Sequence, residues 1–419
     1  MPRCRRALLS AMASIPAWTA LSRPALGRAD PSDSGAGTGG TDRVPQSEWN
    51  AFRRRYMTPE GRVVDSAKAG ISHSEGQSYA MLLAVHMEDR AAFDLAWDWA
   101  RLHLRRRGDR LMTWRWSPHT RPHVADPNNA SDGDLLAAWA LARAAALWRD
   151  SSYREQARHI ARDLLRHCTV EWNNRLLLLP GAQGFRFHDR VVINLSYYSW
   201  SALRVLARIL PSPAWARLEA DGLGLLEEAR FGRFALPPDW LELDARGAMR
   251  PAPGWPPRFS WDAVRIPLHL VWAGRGSEAT LLRVERFWSA HQRREGTPAW
   301  ADLETGGLAP YPGHAGLRAV ARASRHALGL PAGPQEAVAD ATDYYGAALV
   351  LLSRMAAVDA APVLAGSAPP PGIEAASEGA AASAASWRGQ GEPAAPGGLP
   401  HPLPLGLRVG PPRWTPHAP

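Results

Sequence analysis

Cysteine is almost missing from this chain: among 419 residues only Cys4 and Cys168 carry a thiol. Cys4 falls in a leader-like segment, so a processed chain would keep Cys168 alone, and an internal disulfide is excluded. Lysine is scarcer still, with Lys68 standing alone among 49 basic residues. The formal charge of +9 is therefore arginine charge. Four of those arginines (Arg3, Arg5, Arg6 and Arg23) lie in the first 27 residues, which hold no acid. Removing them leaves 45 − 40 = +5, spread along the chain, with Arg105-Arg106-Arg107 a short dense run. A nucleic-acid binder needs a clustered basic face, so nucleic acid is excluded as a partner. Phe and Tyr are also few, eight each against 19 Trp. An indole is costly to bury without a partner for its N–H. The surplus therefore reads as rings at surfaces or lining a cleft, where they suit flat apolar faces such as sugar rings, with others filling the core between helices. After the N-terminus no apolar run is long enough to span a bilayer, so no membrane span is expected in the mature chain.

What is present divides the chain. MPRCRR followed by ALLSAMASIPAWTAL and the small-x-small site Ala25-Leu26-Gly27 reads as a secretory signal over 1–27. Arg5-Arg6-Ala7-Leu8-Leu9 faintly resembles a twin-arginine signal. The expected location is thus periplasmic or secreted. Residues 28–44 are rich in Gly, Ser and Asp and read as a flexible leader. Residues 361–419 are rich in Ala, Pro and Gly, too poor in apolar surface to offset their ordering entropy, and read as a disordered tail. The folded body is expected over 45–360.

Within that body the apolar periodicity is helical. Met81, Leu82 and Val85, then Phe93, Leu95, Trp97 and Trp99, recur at near-helical spacing, as do Leu135, Leu136, Trp139, Leu141 and Leu147. Tyr197 to Leu210, Val264 to Trp272 and Tyr344 to Met355 give three more stretches, and strand-like alternation is confined to short pieces such as 185–193. Polar helix starts recur at Ser74-Glu75-Gly76, Ser131-Asp132-Gly133, Asn194-Leu195-Ser196, Ser260-Trp261-Asp262 and Thr342-Asp343-Tyr344, roughly 60 to 80 residues apart. Each interval accommodates one helical hairpin. With a first helix near Gln46 to Tyr56, six hairpins result. The expected fold is all-α, a barrel of six inner and six outer helices whose inner N-termini open on one end.

That arrangement would gather Glu75, Asp132 and Asp262 in one mouth. Taken singly, each acid is more readily a cap: Ser is a good N-cap, acids in the first turn complement the helix dipole, and Ser74-Glu75-Gly76-Gln77 fits a capping box. Two further signs favour chemistry. Gly76 and Gly133 follow the acids although glycine weakens a helix, as if something bulky must approach there. Aromatic residues crowd the same end: Tyr79, Trp114, Trp116, Tyr197, Tyr198, Trp261, Tyr344 and Tyr345. Paired acids among aromatic platforms are what glycoside hydrolysis requires. A donor acid must stay protonated near neutral pH, so Glu75 needs a second carboxylate beside it, and Asp132 is the candidate.

These residues resemble a known family. S-E-G-Q-S-Y-A-M-L-L-A-V, D-P-N-N-A-S-D-G-D-L-L-A-A-W-A-L, N-L-S-Y-Y-S and W-D-A-V-R-I-P-L, in this order over about 45–356, look like family 8 glycoside hydrolases. Within the family the likeness is to the periplasmic endoglucanases that accompany bacterial cellulose synthases. The resemblance implies an (α/α)6 barrel and inverting endo-hydrolysis of β-1,4-glucan, without cofactor or metal. The implied partners are the glucan and the cellulose synthase export machinery, and the chain is expected to be a monomer. Glu75 would be the proton donor and Asp262 the base that activates water. Asp132 would hold and distort the sugar at the cleaved position, with the division of roles between Asp132 and Asp262 left open. Trp114, Trp116, Tyr197, Arg265 and Tyr344 would bind substrate. Trp114 and Trp116 alternate, so one would stack on glucose and the other pack inward. Arg265 would touch a sugar or orient Asp262, or be a surface arginine. Asn128, Asn129 and Asp134 would shape the loop around Asp132, and His73 has no companions at metal-ligand spacing. Trp261 and Ala80 stand where the family commonly has Tyr and Gly. The first bears on substrate, leaving chitosan, xylan or mixed-linkage glucan as alternatives, and a non-catalytic glycan-binding barrel as another.

Overall fold

The computed structural model describes residues 43–292 and 296–364. The expected signal, the leader up to residue 42 and the expected tail from residue 365 lie outside the described residues, whereas 361–364, assigned to that tail by composition, continue the last helix. No described helix is long and apolar enough to cross a membrane. The described chain forms eleven α-helices: α1 (Gln46–Tyr56), α2 (Ser74–His86), α3 (Arg90–His103), α4 (Ser131–Trp148), α5 (Ser151–His167), α6 (Trp200–Ile209), α7 (Pro213–Glu228), α8 (Arg265–Trp272), α9 (Ala279–Ala290), α10 (Ala315–Ala327) and α11 (Tyr344–Leu364).

Burial sorts them into two layers. Helices α2, α4 and α8 are buried along nearly their whole length. α5, by contrast, buries only Tyr153, Ala157, Ile160, Ala161 and Leu164, one stripe at helical spacing. Helix α2 packs on α4, α4 on α6, α6 on α8, α8 on α10 and α11, and α11 returns to α2. The ring so closed is the inner layer of an (α/α)6 barrel, with α1, α3, α5, α7 and α9 alternating outside it.

Among the described residues a twelfth helix does not form. Between α10 and α11 the chain reads Leu-Gly-Leu-Pro-Ala-Gly-Pro, with Gly329 and Gly333 at φ +72° and +74°. Those positive φ values and the two prolines forbid a helix there, and only the 3-10 turn Val338–Asp340 forms. This segment covers the outer face of α10 by side-chain ties instead. Arg318 pairs with Glu336 at 2.8 Å, and Arg325 Nε donates to the Pro331 carbonyl at 2.7 Å.

Short strands fasten the loops at the mouth. Ser72–His73 pairs antiparallel with Arg115–Trp116, and Arg258–Phe259 with Ala301–Asp302. Arg190–Ile193, inside the stretch of alternation noted above, joins Leu241–Asp244 and Met249–Pro251 in a three-stranded sheet.

The expected capping box at Ser74 does not form. Ser74 is already helical, the N-cap is His73, and no side chain caps it. Gln77 serves the loop beneath instead, donating to the carbonyls of Gly61 (3.1 Å) and Ala96 (3.0 Å) and accepting from the Val63 N–H. The buried Gly61 carbonyl and Val63 N–H lie in a loop that no helix ladder serves, and leaving them unpaired would be a greater penalty than an uncapped first turn.

The glycines also differ from expectation. What approaches Gly133 is α2 itself: a Cβ there would lie 2.4 Å from Ser74 Oγ and 2.9 Å from the Glu75 nitrogen. Ser78 Oγ seals this crossing, its one O–H placed between the Ser74 carbonyl (2.8 Å) and the Gly133 carbonyl (2.7 Å). At Gly76 the neighbour is the Tyr344 ring, which a Cβ would meet at 3.0 Å. Small residues thus bring the two acid-bearing helix starts together. Gly133→Ala should force α2 and α4 apart and destabilise the fold by about 1–3 kcal/mol. Thermal unfolding alongside turnover checks this, and an unchanged melting temperature would contradict it.

Candidate active site

Arg265, the first residue of α8, is only 1% exposed, so it is no surface arginine. Its Nη1 donates to Glu75 Oε2 at 2.5 Å, to Asp132 Oδ2 at 3.0 Å and to the Tyr79 hydroxyl at 3.3 Å. Its Nη2 donates to Asp262 Oδ1 at 2.6 Å and to Ser196 Oγ at 2.9 Å. One guanidinium therefore gathers carboxylates from the starts of α2 and α4 and from the turn before α8. Glu75, Asp132 and Asp262 are each 3–4% exposed. In so dry a setting charge-assisted bonds are strong and unpaired charges costly.

Three carboxylates against one cation leave an excess of negative charge. Burial pushes Asp132 up to about 7, against the pull of Arg265 and with added repulsion from Glu75 and Asp262. Asp132 thus retains a proton close to neutral pH, which lessens the negative charge beside Glu75. Burial alone would lower Arg265, but Tyr79, Glu75, Tyr345 and Asp262 outweigh it and keep the guanidinium charged. One turn along α8, burial and Arg265 push His269 down to about 3, so its imidazole is neutral.

Asp262 sits three residues ahead of α8, in a turn and not within the helix. The turn is held by Asp239, which sequence reasoning missed. Asp239 Oδ1 accepts from the Ser260 N–H (2.9 Å) and the Ala263 N–H (2.8 Å), and Oδ2 from the Ser260 hydroxyl. Burial and the nearby Asp262 push Asp239 up to about 7. Its one sequence signal is an acid set in apolar surroundings, Leu-Pro-Pro-Asp-Trp-Leu. Ser196 is a second site residue that sequence reasoning missed. Asn194 Oδ1 fixes it by accepting from both its N–H (3.0 Å) and its hydroxyl (2.7 Å).

The expected aromatic residues divide. Trp114 is buried beside the acid: the Ser74 N–H donates to the Trp114 carbonyl at 3.0 Å, and its indole stacks on His73 with centroids 6.1 Å apart. Trp116 is half-buried, stacked on His123 at 4.5 Å under the Arg62 guanidinium. Tyr344 is buried behind α2, its hydroxyl 3.1 Å from His73 Nδ1 and its ring against Gly76. Tyr197 lies beneath the Arg265 guanidinium, 5.3 Å from its ring centre. Tyr198 is core, its hydroxyl accepting from the Leu178 N–H at 2.8 Å. Tyr345 donates to the Trp261 carbonyl at 2.6 Å, and the Trp261 ring stacks on His314 at 4.7 Å, within 2° of parallel.

The loop before Asp132 is tied as expected at Asn128, Asn129 and Asp134. Asn128 bonds both the N–H and the carbonyl of Gln183. Asn129 donates to Asp134 Oδ2 (2.9 Å) and Cys168 Sγ (3.2 Å) and accepts from the Ala182 N–H. Among the described residues no group of three or more His, Cys, Asp or Glu side chains is arranged to hold a metal ion.

This constellation has counterparts. The family model for glycosyl hydrolases family 8 matches residues 35–358, most of the chain. The chain belongs to glycosyl hydrolase family 8. A probable endoglucanase of Novacetimonas hansenii is 42% identical to this family 8 enzyme over 317 residues, 75% of this chain and 91% of the relative. Among solved structures, the family 8 endoglucanase of Klebsiella pneumoniae is 40% identical with a TM-score of 0.71, covering 75% of this chain and 99% of that one. The endo-β-1,4-glucanase of Acetobacter xylinum is 41% identical with a TM-score of 0.71, covering 75% and 98%. The inner-outer helix alternation described above is the family's barrel, and the enzyme is a glycoside hydrolase.

Proposed function

We propose that this family 8 enzyme is an inverting endo-β-1,4-glucanase in which Glu75 is the proton donor, Asp262 the base and Asp132 the group that holds the sugar at the cleaved position. The observation that carries the reading is the single buried guanidinium of Arg265 bonded to all three carboxylates. In the reaction the Glu75 O–H protonates the departing glycosidic oxygen. Water, deprotonated by Asp262, attacks the anomeric carbon from the opposite face, and the sugar leaves as the α-anomer. Asp132 opposes the positive charge that develops on the ring. A retaining pair must close to about 5–5.5 Å, whereas an inverting pair stands about 6.5–9.5 Å apart to admit water. The names of the relatives favour β-1,4-glucan as substrate.

Reducing-sugar release should be fastest from carboxymethylcellulose, ahead of chitosan, xylan and mixed-linkage glucan. NMR of the first product should show the α-anomer; initial β-anomer would sink the inverting assignment. Because the Glu75–Asp132 pair must hold a proton and Asp132 lies near 7, kcat should fall as pH rises through about 7.

We further propose that the enzyme is exported through residues 1–27 to the periplasm or beyond, and acts there as a monomer on glucan emerging from the cellulose synthase export machinery. The sequence signal and the family likeness support this. Cell fractionation and size-exclusion chromatography test location and oligomeric state.

A further inference from the structure

The segment 296–313 forms an arm beside the base, and its two rings, half-buried Trp300 and exposed Tyr311, have no part in the core. Antiparallel bridges at Pro298↔Pro312 and Ala301↔Leu308 close it on itself. Both ends are tied to the neighbourhood of Asp262. Its strand Ala301–Asp302 pairs with Arg258–Phe259, which leads directly into Ser260-Trp261-Asp262. Its far end runs into His314, whose ring lies flat on Trp261.

Two side chains of this arm are held rigidly at the surface. Tyr311 is 50% exposed, the only aromatic among the large apolar side chains exposed in the described residues. Trp300 is half-buried, with the Arg258 guanidinium 3.9 Å from its ring centre. Trp300 Nε1 donates to the Tyr311 hydroxyl at 3.1 Å, while the Ala299 N–H donates to the Tyr311 carbonyl at 3.3 Å and the Ala309 N–H to the Trp300 carbonyl at 3.0 Å. Ordering an exposed tyrosine in this way costs side-chain entropy and buries little surface, so the core does not explain it. Flat, pre-positioned aromatic faces near a polysaccharide cleft suit the C–H faces of sugar rings. The spacing fits a chain already in the site: Tyr311 is three residues from His314, so it stands within about 10 Å of chain, on the order of two sugar units.

We propose that Trp300 and Tyr311 form an outer platform for the β-glucan chain, continuing from the Trp261–His314 stack away from the cleavage point. This rests on the β-1,4-glucanase reading above. The platform selects long chains and is not needed for cleavage itself. The test is kcat/KM on cello-oligosaccharides from four to eight units, with calorimetric binding of the longest to the Glu75→Gln enzyme. Tyr311→Ala should lose about 3- to 10-fold on the longest substrates and in binding, nothing on the shortest, with unchanged melting temperature. Trp300→Ala should follow the same length dependence. Tyr311→Phe, which keeps the ring face, should stay close to wild type on every length. An equal loss on all lengths, or none on any, overturns the platform while leaving the glucanase reading intact. A wild-type enzyme that neither cleaves nor binds these oligosaccharides overturns both.

Discussion

Arg265→Met is expected to abolish measurable turnover and to destabilise the enzyme in a pH-dependent way. The guanidinium is the shared partner of Glu75, Asp132 and Asp262, at 2.5, 3.0 and 2.6 Å. Without it three nearly dry carboxylates face one another, and breaking such a buried pairing costs about 3–5 kcal/mol. The direction with pH follows from proton binding. Losing the cation removes the pull that holds Asp132 down and raises its folded-state pKa further above its unfolded value, which lies near 4. The folded variant then binds more protons than the unfolded chain, so its stability falls as pH rises above about 4. The melting-temperature gap between wild type and variant should therefore be larger at pH 8 than at pH 5. Arg265→Lys restores charge, but its single ammonium cannot reproduce the fork that meets Glu75 and Asp132 through one nitrogen and Asp262 through the other, so it should recover stability more than kcat. An equal gap at both pH values, or an active methionine variant, would show that Arg265 does not organise the site.

The second large effect separates acid from base. Glu75→Gln should lower kcat on carboxymethylcellulose by about 10²–10⁴-fold with KM little changed, because the amide oxygen can still accept from Arg265. An aryl cellobioside with an acidic phenol as leaving group needs no protonation, so on it the same variant should lose far less. Asp262→Asn should lose as much on the aryl substrate as on the polymer, since water must still be activated. Added azide, which needs no deprotonation, should restore turnover to Asp262→Asn and not to Asp132→Asn. Rescue of Asp132→Asn instead would exchange the roles of the two aspartates. A Glu75→Gln enzyme equally slow on both substrates would remove Glu75 from the donor role.

The sequence is most legible where function and folding share one contiguous stretch. Glu75 and Asp132 begin helices that run on through apolar and small residues, so the inner layer and its acids are read together. Arg265 is ambiguous in the sequence because its partners Glu75 and Asp132 are 190 and 133 residues away in the chain. A polar residue at a helix start is exposed or buried according to what folds over it. Asp239 is invisible for a different reason: it acts only by holding the backbone of the turn at 260–263, which no pattern of residue types records. The glycines at 76 and 133 carry a correct signal of close approach, but the approaching groups are Tyr344 and Ser74 and not the substrate. The capping box fails because Gln77 has buried backbone to satisfy. The twelfth helix fails on local grounds, since glycine and proline at 329–334 are legible as breakers while hairpin counting assumes a regular repeat.

The lone thiol noted at the outset has a consequence for how this enzyme comes to be folded. Cys168 is fully buried, and burial pushes it up to about 12, so thiolate is scarce at any physiological pH. A thiol in that state neither attacks disulfides nor yields readily to oxidants. Asn129 also holds its sulfur against the loop that positions Asp132. The described fold therefore has no disulfide to form, and its thiol calls for neither a reducing nor an oxidising compartment.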